Sequence, residues 1–380
     1  MNKVLMTATY GDFFAAFEVD NIKLLISNGY EVNLCADWHT KEFNYKYDRL
    51  SGLEFNKIDI GFKRSPFSLE NIKSFVSLYR LIKSENFVSV LANNPVVGII
   101  TRLAAKLAHV KKIIYTSHGF QFCKNGPKKD WLLYYPIEWL ASFITNDLVV
   151  MNNEDFLLAK KHFHNGRVTK IPGVGLDVNK FKPISKDKKD QLRIRYNLFE
   201  GDRFVLISTA ELIPRKNVIS LIRATEEALC FDKNIILLIV GDGVLRESLR
   251  MYVEKHDLSK NIIFLGKRRD IVSLNGVADV AISSTYREGL AMAQLECMAM
   301  GLPLISSRAR GVVEYSINNY TGYNFDADDF RGMAHAIIEL KNNEKKLKFF
   351  SFNAKKTAQK FSLFKTHQIM ARIYSKIPGD

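Results

Sequence analysis

Two carboxylates and two cations carry the sharpest chemical signal in this sequence. Glu288 and Glu296 stand eight residues apart in Ser283-Ser284-Thr285-Tyr286-Arg287-Glu288-Gly289-Leu290, followed by Glu296, Met298, Gly301 and Pro303. A helix beginning at Gly289 would aim unpaired backbone N–H groups at an anion, so a diphosphate could rest there at small desolvation cost. On such a helix Glu296 falls within a quarter turn of Glu288. One carboxylate would then grip a sugar hydroxyl and the other the vicinal hydroxyls of a ribose. The plain alternative is that Glu288 is a helix-start acid complementing the dipole and Glu296 an exposed helix residue.

Adjacent Arg215 and Lys216, in Ser208-Thr209-Ala210-Glu211-Leu212-Ile213-Pro214-Arg215-Lys216-Asn217, lie between an expected strand and an expected helix. A planar guanidinium fork beside a point charge suits a pyrophosphate; a solvated basic turn is the alternative. Gly241-Asp242-Gly243 follows another strand, where glycines permit either close ligand approach or a tight turn. His118, in Tyr115-Thr116-Ser117-His118-Gly119-Phe120, closes a strand, and Thr9-Tyr10-Gly11-Asp12 closes the first one. A lone histidine is more often structural than catalytic. The fingerprints G-x-G-x-x-G after the first strand, G-x-x-x-x-G-K-[ST] and G-x-S-x-G are all missing, which counts against a dinucleotide dehydrogenase, a P-loop NTPase and an α/β-hydrolase. Chemistry driven by phosphate departure remains.

The elements that must position these residues follow from periodicity. Strands are expected at Val4–Ala8, Glu31–Ala36, Val88–Ala92, Lys112–Thr116 and Asp147–Met151, alternating with helices at Ala15–Asn28, Leu69–Ser84, Val96–His109 and Asp130–Phe143. The pattern lapses near Ile171-Pro172-Gly173-Val174-Gly175 and a polar stretch runs from Asn179 to Asp190, where a domain boundary is expected. A second alternation follows, with strands Phe204–Thr209, Ile235–Val240, Ile262–Leu265, Val280–Ser283 and Pro303–Ser306. Its helices are Val218–Leu229, Val244–His256, Arg269–Asn275 and Leu290–Met300. Three helices close the chain, at Phe330–Lys341, Lys345–Lys360 and Leu363–Ser375, the last expected to fold back on the first domain. Such alternation implies α/β architecture with parallel, doubly wound sheets, and two of them in series would form a ligand cleft.

Composition agrees and excludes other classes. The 380 residues suffice for two domains; 47 % are hydrophobic and 25 % charged, as in ordinary globular chains. No apolar run approaches the roughly 20 residues of a membrane span, and Met1–Thr9 is too short for a signal peptide, so a cytosolic protein is expected. Cys35, Cys123, Cys230 and Cys297 are widely spaced, which suggests neither a zinc site nor a redox motif. The net charge of +15 draws the chain toward something acidic, and ten Lys/Arg against Glu344 alone lie between Lys341 and Lys376. Basic and aromatic residues mix at Phe62-Lys63-Arg64-Ser65-Pro66-Phe67 and across Phe120–Trp139, a mixture that suits a headgroup interface or, alternatively, core aromatics beneath a solvated basic face.

Taken together, the chain resembles family 4 of the retaining, nucleotide-sugar-dependent glycosyltransferases of GT-B fold, over essentially its whole length. Glu288 to Glu296 resembles that family's E-x7-E motif, set in S-x-x-x-E-G-x-x-x-x-x-L-E-x-M-A-x-G-x-P, and Arg215-Lys216-Asn217 resembles its R-K-(G/N). His118-Gly119-Phe120 with Trp131-Leu132-Leu133-Tyr134-Tyr135 is similar to the bacterial capsule and exopolysaccharide branch, and Pro172-Gly173-Val174-Gly175-Leu176-Asp177 to the interdomain stretch. The resemblance implies two Rossmann-like domains facing each other across a cleft. Residues 1–178, joined by the helix within 362–380, would bind the acceptor, and residues 179–361 the nucleotide sugar.

It further implies that Arg215 and Lys216 neutralise the donor diphosphate, Glu296 holds the ribose and Glu288 contacts the transferred sugar. The backbone of Gly289, Leu290 and Ala291 would cap the phosphates, with Gly241 nearby, His118 beside the sugar and Gly11 admitting the donor. Neither a metal nor a cofactor is expected. The partners implied are a uridine-based sugar donor, a polyprenyl-diphosphate-linked saccharide acceptor and the inner face of the plasma membrane, with no nucleic acid. The chain departs from the family pattern at Ala291, at Cys297 and in having one glycine at Gly11. Arg308 and Arg310 are a further oddity that would read a carboxylate or phosphate on donor or acceptor, or be simply solvated. The rival readings are a nucleotide-sugar epimerase of the same fold and a non-catalytic basic protein binding nucleic acid or membrane.

Overall fold

Uninterrupted apolar runs are what a strand covered on both faces requires. Ile235–Val240 is such a run, and all six of its residues are buried. The computed structural model of the chain describes residues 1–40, 47–124, 126–198 and 203–378. They divide into two compact units, Met1–Gly175 with the chain from Phe364 onward, and Leu176–Leu363.

The first unit holds seven strands: β1 (Lys3–Tyr10), β2 (Glu31–Asp37), β3 (Asn56–Asp59), β4 (Ser89–Asn93), β5 (Lys112–Ser117), β6 (Asp147–Val150) and β7 (Arg167–Lys170). They pair in the order β3-β2-β1-β4-β5-β6-β7, and every pairing is parallel. The second unit holds β8 (Phe204–Thr209), β9 (Ile235–Val240), β10 (Ile262–Gly266), β11 (Val280–Ser283), β12 (Leu304–Ser307) and β13 (Gly322–Phe325). Their order is β10-β9-β8-β11-β12-β13, again all parallel. Each sheet is therefore Rossmann-like. Its strand order reverses between the first and fourth strands, β1 and β4 in one unit and β8 and β11 in the other, and ligands bind such sheets outside the carboxyl ends of those strands.

Four expectations need correction. The helix expected at Ala15–Asn28 begins earlier, as a helical turn at Gly11–Phe13, a π-helical turn at Phe14–Glu18 and an α-helix at Val19–Ser27. The helix expected from Gly289 or Leu290 begins at Met292 and ends at Ala299, because Gly289 bends and Ala291 is extended, so the three residues Gly289, Leu290 and Ala291 form a loop. The polar stretch from Asn179 to Asp190 is not all loop: Ser185 caps a helix at Lys186–Arg195, its hydroxyl accepting from the Lys188 N–H. Three short edge strands, β3, β7 and β13, and the helix Asn153–His162 were not foreseen. These three edge strands lack the apolar run that reveals central ones, and the four residues of β7 are all only half-buried.

Among the described residues no helix is long and apolar enough to cross a membrane. The basic-aromatic runs divide between core and surface. Phe62, Phe120 and Phe122 are buried, Phe120 and Phe122 stacking at 5.2 Å with Trp131 against Phe122 at 5.0 Å. Phe67, Leu69, Leu132, Leu140 and Phe143 are exposed, as are Lys124, Lys128 and Lys129.

Candidate active site

In the second unit β8 and β11, hydrogen-bonded neighbours, deliver both constellations to one place. After β8 the chain makes a tight turn at Pro214–Lys216, with Pro at its first position, and Asn217 takes a left-handed conformation (φ +49°) before the helix Val218–Leu229. Asparagine tolerates that conformation because its amide can bond locally. Here the amide donates to the Ala327 carbonyl at 2.8 Å and to Asp328 Oδ1 at 3.1 Å, and Ser284 Oγ donates to the Asn217 carbonyl at 2.6 Å. The two loops are laced further: Tyr286 N–H and Thr285 Oγ1 both donate to the Arg215 carbonyl, at 3.0 and 3.2 Å.

The result is one charge cluster built from segments about seventy residues apart in sequence. Lys216 Nζ pairs with Glu288 Oε1, and Arg215 Nη1 lies 3.4 Å from Glu288 Oε2 while donating to the Arg287 carbonyl at 2.9 Å. The Glu288 carboxylate is 11 % exposed and Lys216 18 %, so water screens the cluster only in part. An anion arriving at Arg215 and Lys216 would therefore compete with Glu288 for their donors. Displacing the carboxylate would free its oxygens to accept from hydroxyl groups.

A second loop braces the Glu288 turn from behind. Arg310 is 8 % exposed and its Nε donates to the Glu288 carbonyl at 3.3 Å. Gly311 has φ +77°, and a Cβ there would lie 2.1 Å from the Gly289 carbonyl oxygen. No other residue fits. Arg308, by contrast, is exposed and pairs with Asp326 at 3.1 Å. The two arginines thus have separate places, one a brace and one a solvated ion pair.

Since the helix begins at Met292, Glu288 is not on it, and the quarter-turn relation with Glu296 does not apply. Glu296 sits in that helix's second turn, partly buried, and burial pushes its carboxyl up to about 7 against the pull of Lys180. The loop ahead of the helix is fixed by Tyr315, whose hydroxyl lies 2.9 Å from Gln294 Oε1 and 3.3 Å from the Ala291 carbonyl. Gly241 and Gly243 serve backbone packing: Cβ atoms there would fall 1.8 Å from the Ala210 and 2.5 Å from the Leu212 carbonyl oxygens. They allow the exit of β9 to lie along the segment that leads to Arg215, with Leu212 N–H donating to the Asp242 carbonyl at 3.0 Å.

The first unit has a different character at its reversal point. A cavity of about 320 Å³ opens there, lined by Thr9, Tyr10, Phe13, Arg64, Asn94 and Tyr134 among others, with no carboxylate among the described residues of its wall. Asn94 (φ +62°) precedes the helix Pro95–Leu107, and its Oδ1 accepts from Thr9 N–H at 2.9 Å. The signal for this turn was present in Asn93-Asn94-Pro95, a polar pair before a proline at the first helical position. Arg64 lies over the Tyr10 ring at 5.7 Å. Gly11 packs against Trp38, and a Cβ there would stand 2.3 Å from Trp38 Cε3. Its missing side chain makes room for the Trp38 ring, which Nε1 anchors to the Ile58 carbonyl at 2.9 Å.

His118 follows β5, its ring edge-on to Phe13 at 5.1 Å and its Nε2 3.3 Å from Asn93 Oδ1. Burial holds its pKa down to about 4, so the ring is neutral at pH 7. Glu18, which the sequence did not single out, places Oε1 3.8 Å from that Nε2.

Comparison with known proteins finds relatives along the whole chain. Residues 189–357 match the family described as Glycosyl transferases group 1, and residues 3–153 match Glycosyl transferase 4-like. The Bacillus subtilis (strain 168) protein named "Putative glycosyltransferase EpsD" is 35 % identical over 379 residues, 98 % of this chain and 96 % of that one. The UDP-Gal:alpha-D-GlcNAc-diphosphoundecaprenol alpha-1,3-galactosyltransferase of Escherichia coli is 30 % identical over 294 residues, 76 % of this chain and 74 % of its own. Among solved structures, Anabaena Alr3699/HepE in complex with UDP and glucose superposes with a TM-score of 0.80 at 18 % identity, covering 99 % of this chain and all of that one.

Proposed function

The chain belongs to the glycosyltransferases, with the two Rossmann-like domains of the GT-B type, and from that premise we propose that it moves a sugar from a uridine diphosphate donor, with retention of configuration, to a lipid-linked saccharide in surface polysaccharide synthesis. The observation that carries this reading is the meeting of Arg215, Lys216 and Glu288 where β8 and β11 end. Two cations that already hold a carboxylate can hold a diphosphate in its place, and a diphosphate carries more charge for the same donors.

In this reading Arg215 and Lys216 neutralise charge on the departing diphosphate, which lowers the barrier without a metal ion. The N–H groups of Gly289, Leu290 and Ala291 add to that stabilisation, Glu288 turns to the hydroxyls of the transferred sugar, and Glu296 accepts from the ribose. Neutral His118 takes a hydrogen bond from the sugar. The acceptor hydroxyl attacks the anomeric carbon on the face the phosphate leaves; the bond to the phosphate oxygen breaks as the bond to the acceptor oxygen forms, and the phosphate takes the acceptor proton. No protein nucleophile is needed.

The relatives support the choice of substrates: the Escherichia coli enzyme's name specifies a UDP-sugar and a diphosphoundecaprenol acceptor, and the Anabaena protein holds UDP. The cavity beside Tyr10, Arg64 and Tyr134 suits a sugar face and an adjoining phosphate. A cytosolic location follows from this chemistry, with the exposed Phe67, Leu69, Leu132 and neighbouring lysines resting on anionic headgroups. The test is incubation with a panel of UDP-sugars and a short-chain prenyl-diphosphate N-acetylglucosamine in EDTA, with the product linkage read by NMR. An α-linked disaccharide is expected from an α-linked donor. Inversion, strict metal dependence or epimerised donor without transfer would contradict the reading.

A further inference from the structure

One buried carboxyl has no part in the mechanism above. Glu18 is 3 % exposed, at the end of the π-helical turn Phe14–Glu18, and leaves helical geometry with φ −115° and ψ 0°. Phe14, Ala15, Val19 and Ile22 around it in sequence are buried. A π turn inserts one residue into a helix and so swings the following side chains by roughly 100°; such turns recur at functional positions. Burying an acid among apolar neighbours is costly, and a core with packing as its only demand is better served by an apolar residue.

This swing delivers Glu18 to His118. Its Oε2 accepts from Asn21 Nδ2 at 2.7 Å, and its Oε1 lies 3.8 Å from His118 Nε2. Asn93 Oδ1, an acceptor, lies 3.3 Å from the same nitrogen, while Phe13 and Phe17 wall the imidazole at 5.1 and 6.2 Å. Nε2 thus faces two oxygens, an arrangement that favours the tautomer with the proton on Nε2.

We propose that Glu18 is a positioning residue for His118: together with Asn93 it holds the proton on Nε2 and so fixes Nδ1 as the acceptor for a hydroxyl of the transferred sugar. The inference rests on the reading that His118 contacts that sugar. Burial raises the Glu18 carboxyl to about 7. As the pH rises through that value Glu18 ionises, its attraction for the Nε2 proton grows, and the ring becomes more firmly held. Among the described residues Tyr374, on the helix Leu363–Tyr374, also faces Glu18, and its burial and proximity to Glu18 keep it protonated.

The test uses the full chain with Glu18→Gln, Glu18→Ala and His118→Ala. Glutamine keeps the shape and the Asn21 contact, so it guards against simple misfolding. For Glu18→Gln, kcat is expected to fall roughly tenfold, as for loss of an outer partner that orients a functional histidine. The rise of kcat between pH 6 and 8 should flatten while donor KM, where Glu296 titrates, stays within about twofold. In wild type, ¹⁵N-histidine NMR should show His118 as the Nε2–H tautomer, giving way to a mixture in Glu18→Ala. A Glu18→Gln enzyme with wild-type kcat, pH profile and tautomer overturns the proposal. If His118→Ala also transfers normally, the sugar-contact reading has failed; if His118→Ala is inactive while Glu18→Gln is normal, the Glu18 proposal alone has failed.

Discussion

The two units share one topology and use its reversal point in opposite ways. In the second, Arg215, Lys216 and Glu288 form a charge cluster braced by Arg310 and Gly311. In the first, the corresponding place is a cavity walled by Tyr10, Phe13 and Tyr134, with no acid among its described lining, beside a neutral His118 and a buried Glu18. The difference teaches that strand order fixes where a ligand sits, whereas the loops leaving the strands decide its chemistry. Concentrated charge suits a diphosphate, and aromatic walls suit sugar faces.

The strongest way to break the comparison is Lys216→Ala, which leaves Glu288 facing Arg215 alone. Transfer should fall roughly 10²- to 10³-fold in kcat/KM, the scale of losing one stabilising donor for a developing anion. A loss under threefold would mean that the cluster is merely structural. Arg64→Ala probes the other unit: acceptor KM should rise roughly tenfold with donor KM unchanged, and equal effects on both would erase the distinction between the units.

Glu296→Gln sharpens the contrast by separating stability from binding. Its native pKa is raised to about 7 from an ordinary 4.5, so the native state holds a proton that the unfolded chain releases earlier. Stability is therefore lost as pH rises between those values, and the penalty is fully present above about 7. The glutamine variant should be more stable than wild type at pH 8 by roughly 1 kcal/mol, with little difference at pH 4.5, yet bind UDP more weakly. Denaturant titration at both pH values checks it. The smallest effect belongs to Arg308→Ala: its exposed pair with Asp326 should leave stability within about 0.5 kcal/mol of wild type and both KM values unchanged.

Much of this architecture was legible in sequence, because central parallel strands are continuous apolar runs; Phe204–Thr209, Ile235–Val240 and Val280–Ser283 have the bounds that periodicity predicts. Arg215, Lys216 and Glu288 were legible as residue types at the ends of strands, but their contact was not, since nothing local joins positions some seventy residues apart. The helix start was misplaced because Gly289 and Leu290 have no feature that forbids a helix, and the close packing of Gly311 on the Gly289 carbonyl is a tertiary contact with no local signal. The packing of Gly11 against Trp38 was not legible, because that contact is visible only in three dimensions. Glu18 escaped notice because a π turn has no periodic signature, and an acid on an amphipathic helix ordinarily faces water.

The central claim is that the cations of the second unit form the nucleotide site. The measurement that tests it most directly is the thermal shift produced by UDP, in EDTA, on wild type and on Lys216→Ala. A concentration-dependent rise in Tm for wild type, lost in the variant while the unliganded Tm values agree within a few degrees, is the predicted result. Equal stabilisation of both proteins would contradict it and move the nucleotide away from Arg215, Lys216 and Glu288.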